Sequence, residues 1–114
     1  MLIIEDEEDI RLLTRVILEG AGHRVTEAAT GEAGLVAMRQ EVPDLVLLDI
    51  RLPGIDGWEV LEAFNAEPAW LKVPVVVMSA HSSGDALARA KAMGITSYLL
   101  KPFTRDDLLA AVAG

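Results

Sequence analysis

The chain has 114 residues, 52% of them hydrophobic, and no cysteine, which is one ordinary domain able to bury its own core without disulfides or thiolate chemistry. Ten Lys+Arg against eighteen Asp+Glu leave a net charge of -8, which repels a phosphate backbone and excludes direct nucleic-acid binding by this domain. No apolar run nears the ~20 residues that cross a bilayer, and the start "MLIIEDEEDI" has neither a basic n-region nor a cleavage site. No membrane contact is expected, and the cytoplasm is the expected compartment.

Short apolar runs alternate with segments of helical period, and no linker, repeat or low-complexity tract interrupts them, so residues 1–114 are expected to form one domain. The first run is "LII", Leu2 to Ile4, followed by the acidic run "EDEED", which by itself reads as a solvated face or a helix start. Ile10, Leu13, Ile17 and Ala21 then recur at helical spacing and predict an amphipathic helix covering a sheet, with Gly20 and Gly22 as its stop.

"RVTEA", Arg24 to Ala28, is the second predicted strand, and its polar residues mark an edge. A helix over Gly31 to Arg39 leads to "LVLL", Leu45 to Leu48, which delivers Asp49 to a loop marked by Pro53-Gly54 and Gly57. Trp58 to Asn65 reads as a helix, with Trp58 and Trp70 as packing residues around it. "VVVM", Val75 to Met78, precedes Ser79, and a helix over Asp85 to Met93 is ended by Gly94. "YLL", Tyr98 to Leu100, precedes Lys101, and the last helix, Thr104 to Val112, opens on a near capping box formed by Thr104 and Asp107.

Strict alternation of strand and helix predicts an α/β fold with a parallel sheet and helices on both faces. The near-continuous apolarity of runs one, three and four places them centrally, and an outer second strand suits the flavodoxin-like order 2-1-3-4-5. Ligands of such sheets bind at the carboxyl ends of the strands.

Glu5 and Asp6, Asp49, Ser79 and Lys101 all follow strands and are therefore expected on one rim. Three carboxylates at ~4 Å in an effective dielectric of ~20 repel by about 4 kcal/mol per pair, so positive charge must share the site. The ammonium of Lys101 and a hard divalent cation would supply it; with oxygen ligands only, Mg²⁺ is the natural ion. A carboxylate, a hydroxyl, an ammonium and a cation are what a covalent aspartyl-phosphate requires, with Asp49 as nucleophile.

"LIIED", "LVLLDIRLPGIDG", "VVVMSA" and "YLLKPF", in this order and spacing, closely resemble the receiver domain of two-component response regulators over essentially the whole chain. The resemblance implies that Asp49 accepts a phosphoryl group from a phosphohistidine on a sensor histidine kinase or a phosphotransfer protein. It implies that Asp6 and Asp49 ligate Mg²⁺ directly, Glu5 through water, and that the backbone carbonyl of Arg51 completes the protein ligands. Lys101 would pair with the phosphoryl group, Ser79 would be the switch hydroxyl and Tyr98 the switch aromatic that turns inward. The surface of helix four, strand five and helix five would then change. A cis Lys101-Pro102 bond is a further implication.

Glu5 stands where many family members have Asp, and its extra methylene changes the reach to the metal. Ser79 stands where Thr is also common. His81, two positions after Ser79, could line the site and there tune phosphoryl lifetime with Arg51, but it reads first as a solvated loop histidine. The alanine-rich "GDALARAKAMG" suggests a shallow docking face and a homodimer through helix four, strand five and helix five. An output domain beyond Gly114, a stand-alone domain and a hybrid kinase all stay open.

The expected role is that of a phosphoacceptor, not an enzyme, apart from its own phosphoryl transfer and slow autodephosphorylation. A pseudo-receiver used only for protein binding is disfavoured by the retained acids. An aspartate-nucleophile phosphatase is disfavoured because Arg51 stands where the second acid of a D-x-D pair belongs and the chain lacks an inserted cap.

Overall fold

A computed structural model of the chain describes residues 1–80, 84–95 and 97–113. His81, expected in a loop, lies outside the described residues. Five strands, β1 (Leu2–Ile4), β2 (Thr26–Ala28), β3 (Val46–Asp49), β4 (Val75–Ser79) and β5 (Ser97–Leu100), alternate with α1 (Glu8–Gly20), α2 (Gly31–Gln40), α3 (Gly57–Ala66), α4 (Gly84–Ala92) and α5 (Arg105–Ala113). All pairings are parallel and the sheet order is β2-β1-β3-β4-β5. The flavodoxin-like (βα)5 expectation is met, and β2 is an edge.

The physical cause is legible in the burial. β1 and β3 are buried at every position and β4 at all but the first, because helices cover both faces. Strand alternation divides the core in two. Ile4, Val46, Leu48 and Val77 pack with Met38 of α2, Leu61 of α3 and Ala90 of α4. Ile3, Leu47, Val76 and Leu99 pack on the other face with Leu18 of α1 and Leu108 of α5. Phe64 and Trp70 meet edge to face at 5.7 Å, and Trp58 and Trp70 are both buried, so the two tryptophans pack around α3 as expected. A short 3-10 helix, Pro68–Trp70, went unrecognised in the sequence.

Helix ends follow their local chemistry. The Thr104 hydroxyl accepts from the Asp107 amide at 3.0 Å while Asp107 accepts from the Thr104 amide at 3.1 Å, a capping box with Asp in the acidic place. Gly94 ends α4 with φ +85°. The second strand is shorter than "RVTEA", beginning at Thr26.

The inward face of α1 needs correction. Leu13, read as core-facing, is 53% exposed, and Ala21 is exposed as the C-cap residue, whereas Thr14 and Leu18 are buried. Leu12, Leu13 and Val16 make the helix apolar on its outer side as well, which blurs the period. Thr14 is tolerated inside because its hydroxyl donates to the Ile10 carbonyl at 2.7 Å. Among the described residues no helix is long and apolar enough to cross a membrane.

Candidate functional site

The acidic run after β1 divides into two parts. Glu8 and Asp9 form the first turn of α1, where negative charge complements the positive helix end. Glu5 and Asp6 instead turn toward Asp49, and one carboxylate oxygen from each of the three lies within 4.8 Å of the others. Glu5 is fully buried and Asp49 is 4% exposed, while Asp6 opens to solvent.

Strand parity explains which side chains converge. Glu5, Asp49 and Lys101 continue the side of Ile3, Leu47 and Leu99, so they emerge over the α1/α5 face of the sheet. Lys101 Nζ bonds Glu5 Oε1 and lies 3.3 Å from Asp49 Oδ2. The other Glu5 oxygen accepts from the Glu7 amide at 3.3 Å.

The loop after β3 is fastened to Asp49 at its start. The Arg51 amide donates to Asp49 Oδ1 at 3.0 Å, with the Arg51 side chain in solvent. Gly57 donates its amide to the Ile50 carbonyl at 2.9 Å, bringing the start of α3 onto the end of β3. From α2, Glu32 accepts the Ile55 amide at 3.0 Å and fastens the middle of the loop.

Ser79 ends β4 as a buried residue, and its carbonyl accepts the Lys101 amide at 2.8 Å, so the hydroxyl and ammonium residues are tied through the backbone. The Lys101-Pro102 bond is cis. Tyr98 is half-buried in β5 against the core shared by α2, α3 and α4.

The electrostatics follow from burial. Desolvation, followed by a hydrogen bond with Asp49, pushes the Glu5 carboxyl up to about 8, against the pull of Lys101. Burial works against the Lys101 ammonium, yet the bond to Glu5 and the charge of Asp49 outweigh it and hold its pKa above the usual value. One amine thus faces more negative charge than it can balance, so the Glu5 carboxyl holds a proton to higher pH than a free side chain does. An all-oxygen donor set with a surplus of negative charge suits a hard divalent cation such as Mg²⁺, so the residues present fit that ion.

Several supporting residues were not singled out in the sequence. Gly57 gave only a turn signal, and neither Glu32 nor Arg11 belongs to a motif. Arg11 Nη1 donates to the Glu5 carbonyl at 2.8 Å. Nothing in a single sequence marks such contacts, since each joins residues from different elements.

The profile of the response regulator receiver domain matches residues 1–113. The KDP operon transcriptional regulatory protein KdpE of Escherichia coli K12 is 42% identical over 110 residues, covering 96% of this chain and 48% of that protein. Sporulation initiation phosphotransferase F of Bacillus subtilis is 33% identical over 112 residues, covering 98% of this chain and 89% of that protein. The chain spans about half the length of KdpE and most of phosphotransferase F. Among solved structures, the chemotaxis protein CheY4 of Vibrio cholerae superposes with a TM-score of 0.93 at 27% identity, covering 98% of this chain and 93% of that one. A response regulator from Chloroflexus aurantiacus superposes with a TM-score of 0.92 at 31% identity, over 97% and 91% of the two chains.

Proposed function

Because the chain belongs to the response regulator receiver domain family, we propose that residues 1–114 form one phosphoacceptor domain in which Asp49 takes a phosphoryl group from a phosphohistidine. The donor is a sensor histidine kinase or a phosphotransfer protein, and the setting is the cytoplasm. The observation that carries this reading is the convergence of Glu5, Asp6, Asp49 and Lys101 at the carboxyl ends of three strands.

In the transfer, a carboxylate oxygen of Asp49 forms a bond to phosphorus as the phosphorus–nitrogen bond of the donor breaks, and the donor imidazole keeps the electron pair. Asp6, Asp49 and the Arg51 carbonyl would hold Mg²⁺, with Glu5 acting through water, and the ion would supply charge neutralisation at the phosphoryl oxygens. Lys101 gives its ammonium to the phosphoryl group, for which its place beside Asp49 Oδ2 prepares it. The buried carboxylate of Asp49, with its strand locked between β1 and β4, is oriented before the donor arrives.

The product carries about two negative charges at neutral pH. Ser79 donates its hydroxyl to a phosphoryl oxygen, Tyr98 turns inward, and the surface of α4, β5 and α5 changes. Moving such an equilibrium from 1:99 to 99:1 takes about 5.5 kcal/mol of preferential binding, within reach of a charge-assisted hydrogen bond and an ion pair together. That surface serves as the contact for a homodimer or for an output domain beyond Gly114; relatives named as transcriptional regulators support the latter context. The domain acts as an acceptor whose catalysis is confined to its own labelling and slow dephosphorylation.

Intact-mass measurement after incubation with acetyl phosphate and Mg²⁺ tests the proposal. A gain of ~80 Da that maps to Asp49 and is lost in Asp49→Asn is the expected result. An adduct on another residue, or none with Mg²⁺ present, would overturn it.

A further inference from the structure

Glu5 and Asp6 are neighbours in sequence, and in a continuing strand their side chains would point to opposite faces. Both carboxylates nevertheless reach the same hollow beside Asp49. The peptide that joins them must therefore turn out of the strand, and its orientation decides whether the two acids can act on one ion.

Arg11 sits on that peptide. Its Nη1 donates to the Glu5 carbonyl at 2.8 Å, and its Nε lies 3.3 Å from Glu27 Oε1 on β2. The second Glu27 oxygen accepts from Arg15 Nη1 at 2.7 Å. On the other side of the residue, the Glu5 amide donates to the Ala28 carbonyl at 3.0 Å. Thus α1 and β2 hold the residue from both ends of its main chain. A guanidinium can present two donors at a fixed angle to a carbonyl and a carboxylate together, which an ammonium on a flexible stem cannot.

We propose that Arg11, braced by Glu27, is a positioning residue that sets the Glu5–Asp6 peptide so that both carboxylates face one divalent cation. This rests on reading the acidic cluster as a Mg²⁺ site. Arg11 acts through the main chain between the two acids, by its bond to the Glu5 carbonyl.

Calorimetric Mg²⁺ titration of the wild-type chain, Arg11→Ala, Arg11→Lys and Glu27→Gln tests it, with urea denaturation in the absence of Mg²⁺ to follow folding. Arg11→Ala and Arg11→Lys are both expected to raise the Mg²⁺ dissociation constant about 10-fold, the usual scale for loss of a group that orients a ligand. At saturating Mg²⁺ the labelling rate with acetyl phosphate should return to that of the wild type, as for a group that acts on metal binding alone. Wild-type affinity in Arg11→Ala overturns the inference. Full rescue by Arg11→Lys also overturns it, since charge alone would then suffice. Should Arg11→Ala fail to fold, Glu27→Gln is read instead, and an unchanged dissociation constant there overturns the bracing. A wild-type chain that takes up no Mg²⁺ overturns the metal-site reading as well, whereas failure confined to the variants leaves that reading standing.

Discussion

A Cβ atom on Gly57 would lie 2.6 Å from the carbonyl oxygen of Asp49 and 2.5 Å from the Cα of Ile50. Both obstacles are backbone, so neither can swing aside as a side chain would. The close approach is what allows α3 to start directly against the strand end that bears the central acid. Gly57→Ala is expected to destabilise the fold by about 1–3 kcal/mol, the cost of an overpacked contact, and to slow phosphoryl labelling by displacing Asp49. Urea denaturation and time-resolved intact-mass measurement check the two effects, and wild-type behaviour in both would contradict the role given to this contact.

The raised pKa of Glu5 makes stability depend on pH. Glu5 titrates at 4.5 as a free side chain and at about 8 in the fold, raised by burial and then by its hydrogen bond with Asp49. Between those values the folded state holds a proton that the unfolded chain releases. Linkage then requires that this contribution be complete below 4.5 and decline as pH rises through about 8. Denaturation midpoints measured from about pH 5 to about pH 9 without divalent cation should fall in the wild type and fall less in Glu5→Gln, which stays neutral throughout. A parallel decline in both proteins would show that Glu5 is not the group responsible.

Lys101 meets both buried acids, so Lys101→Ala leaves their charge without its amine. Removal of one partner from a buried ion pair costs up to about 3–5 kcal/mol, and the cost is expected to be smaller here because the Glu5 carboxyl already holds its proton to higher pH than a free side chain. Labelling of Asp49 should persist at a reduced rate, while the change on α4, β5 and α5 that follows labelling should weaken. Hydrogen exchange at β5 before and after acetyl phosphate treatment reads the second effect directly; an unaltered response would remove Lys101 from the relay.

Arg89 on α4 lies over the ring of Trp58 on α3, with its guanidinium carbon 4.5 Å from the ring centroid. Arg89→Ala should cost about 0.5–1 kcal/mol and change the emission of Trp58, because the cation leaves the ring face and water takes its place. Fluorescence of Arg89→Ala in a Trp70→Phe background isolates the signal. Emission identical to that of the parent would mean that the stack is not maintained in solution.

The alternation of apolar runs and helical segments was enough to specify five strands, five helices, the parallel sheet and the outer place of β2. Those features depend on hydrophobic period and on the burial of each strand face, which are local properties of the chain. The rim residues Glu5, Asp6, Asp49, Ser79 and Lys101 were likewise legible, since a polar residue after each apolar run must emerge at the same sheet edge. The face of α1 was misread at Leu13 because apolar residues line its outer side too, and local period then cannot tell core from surface.

What only the tertiary structure decided is which of the rim groups touch and what holds them. Direct contact of Glu5 with Lys101, the upward shift that burial imposes on the Glu5 carboxyl, the seat of Gly57 on Asp49 and the reach of Arg11 to the Glu5 carbonyl each depend on how separate elements are set against one another. Strand parity, register and desolvation set these distances and charges, and all three exist only once the sheet has assembled and its helices have excluded water.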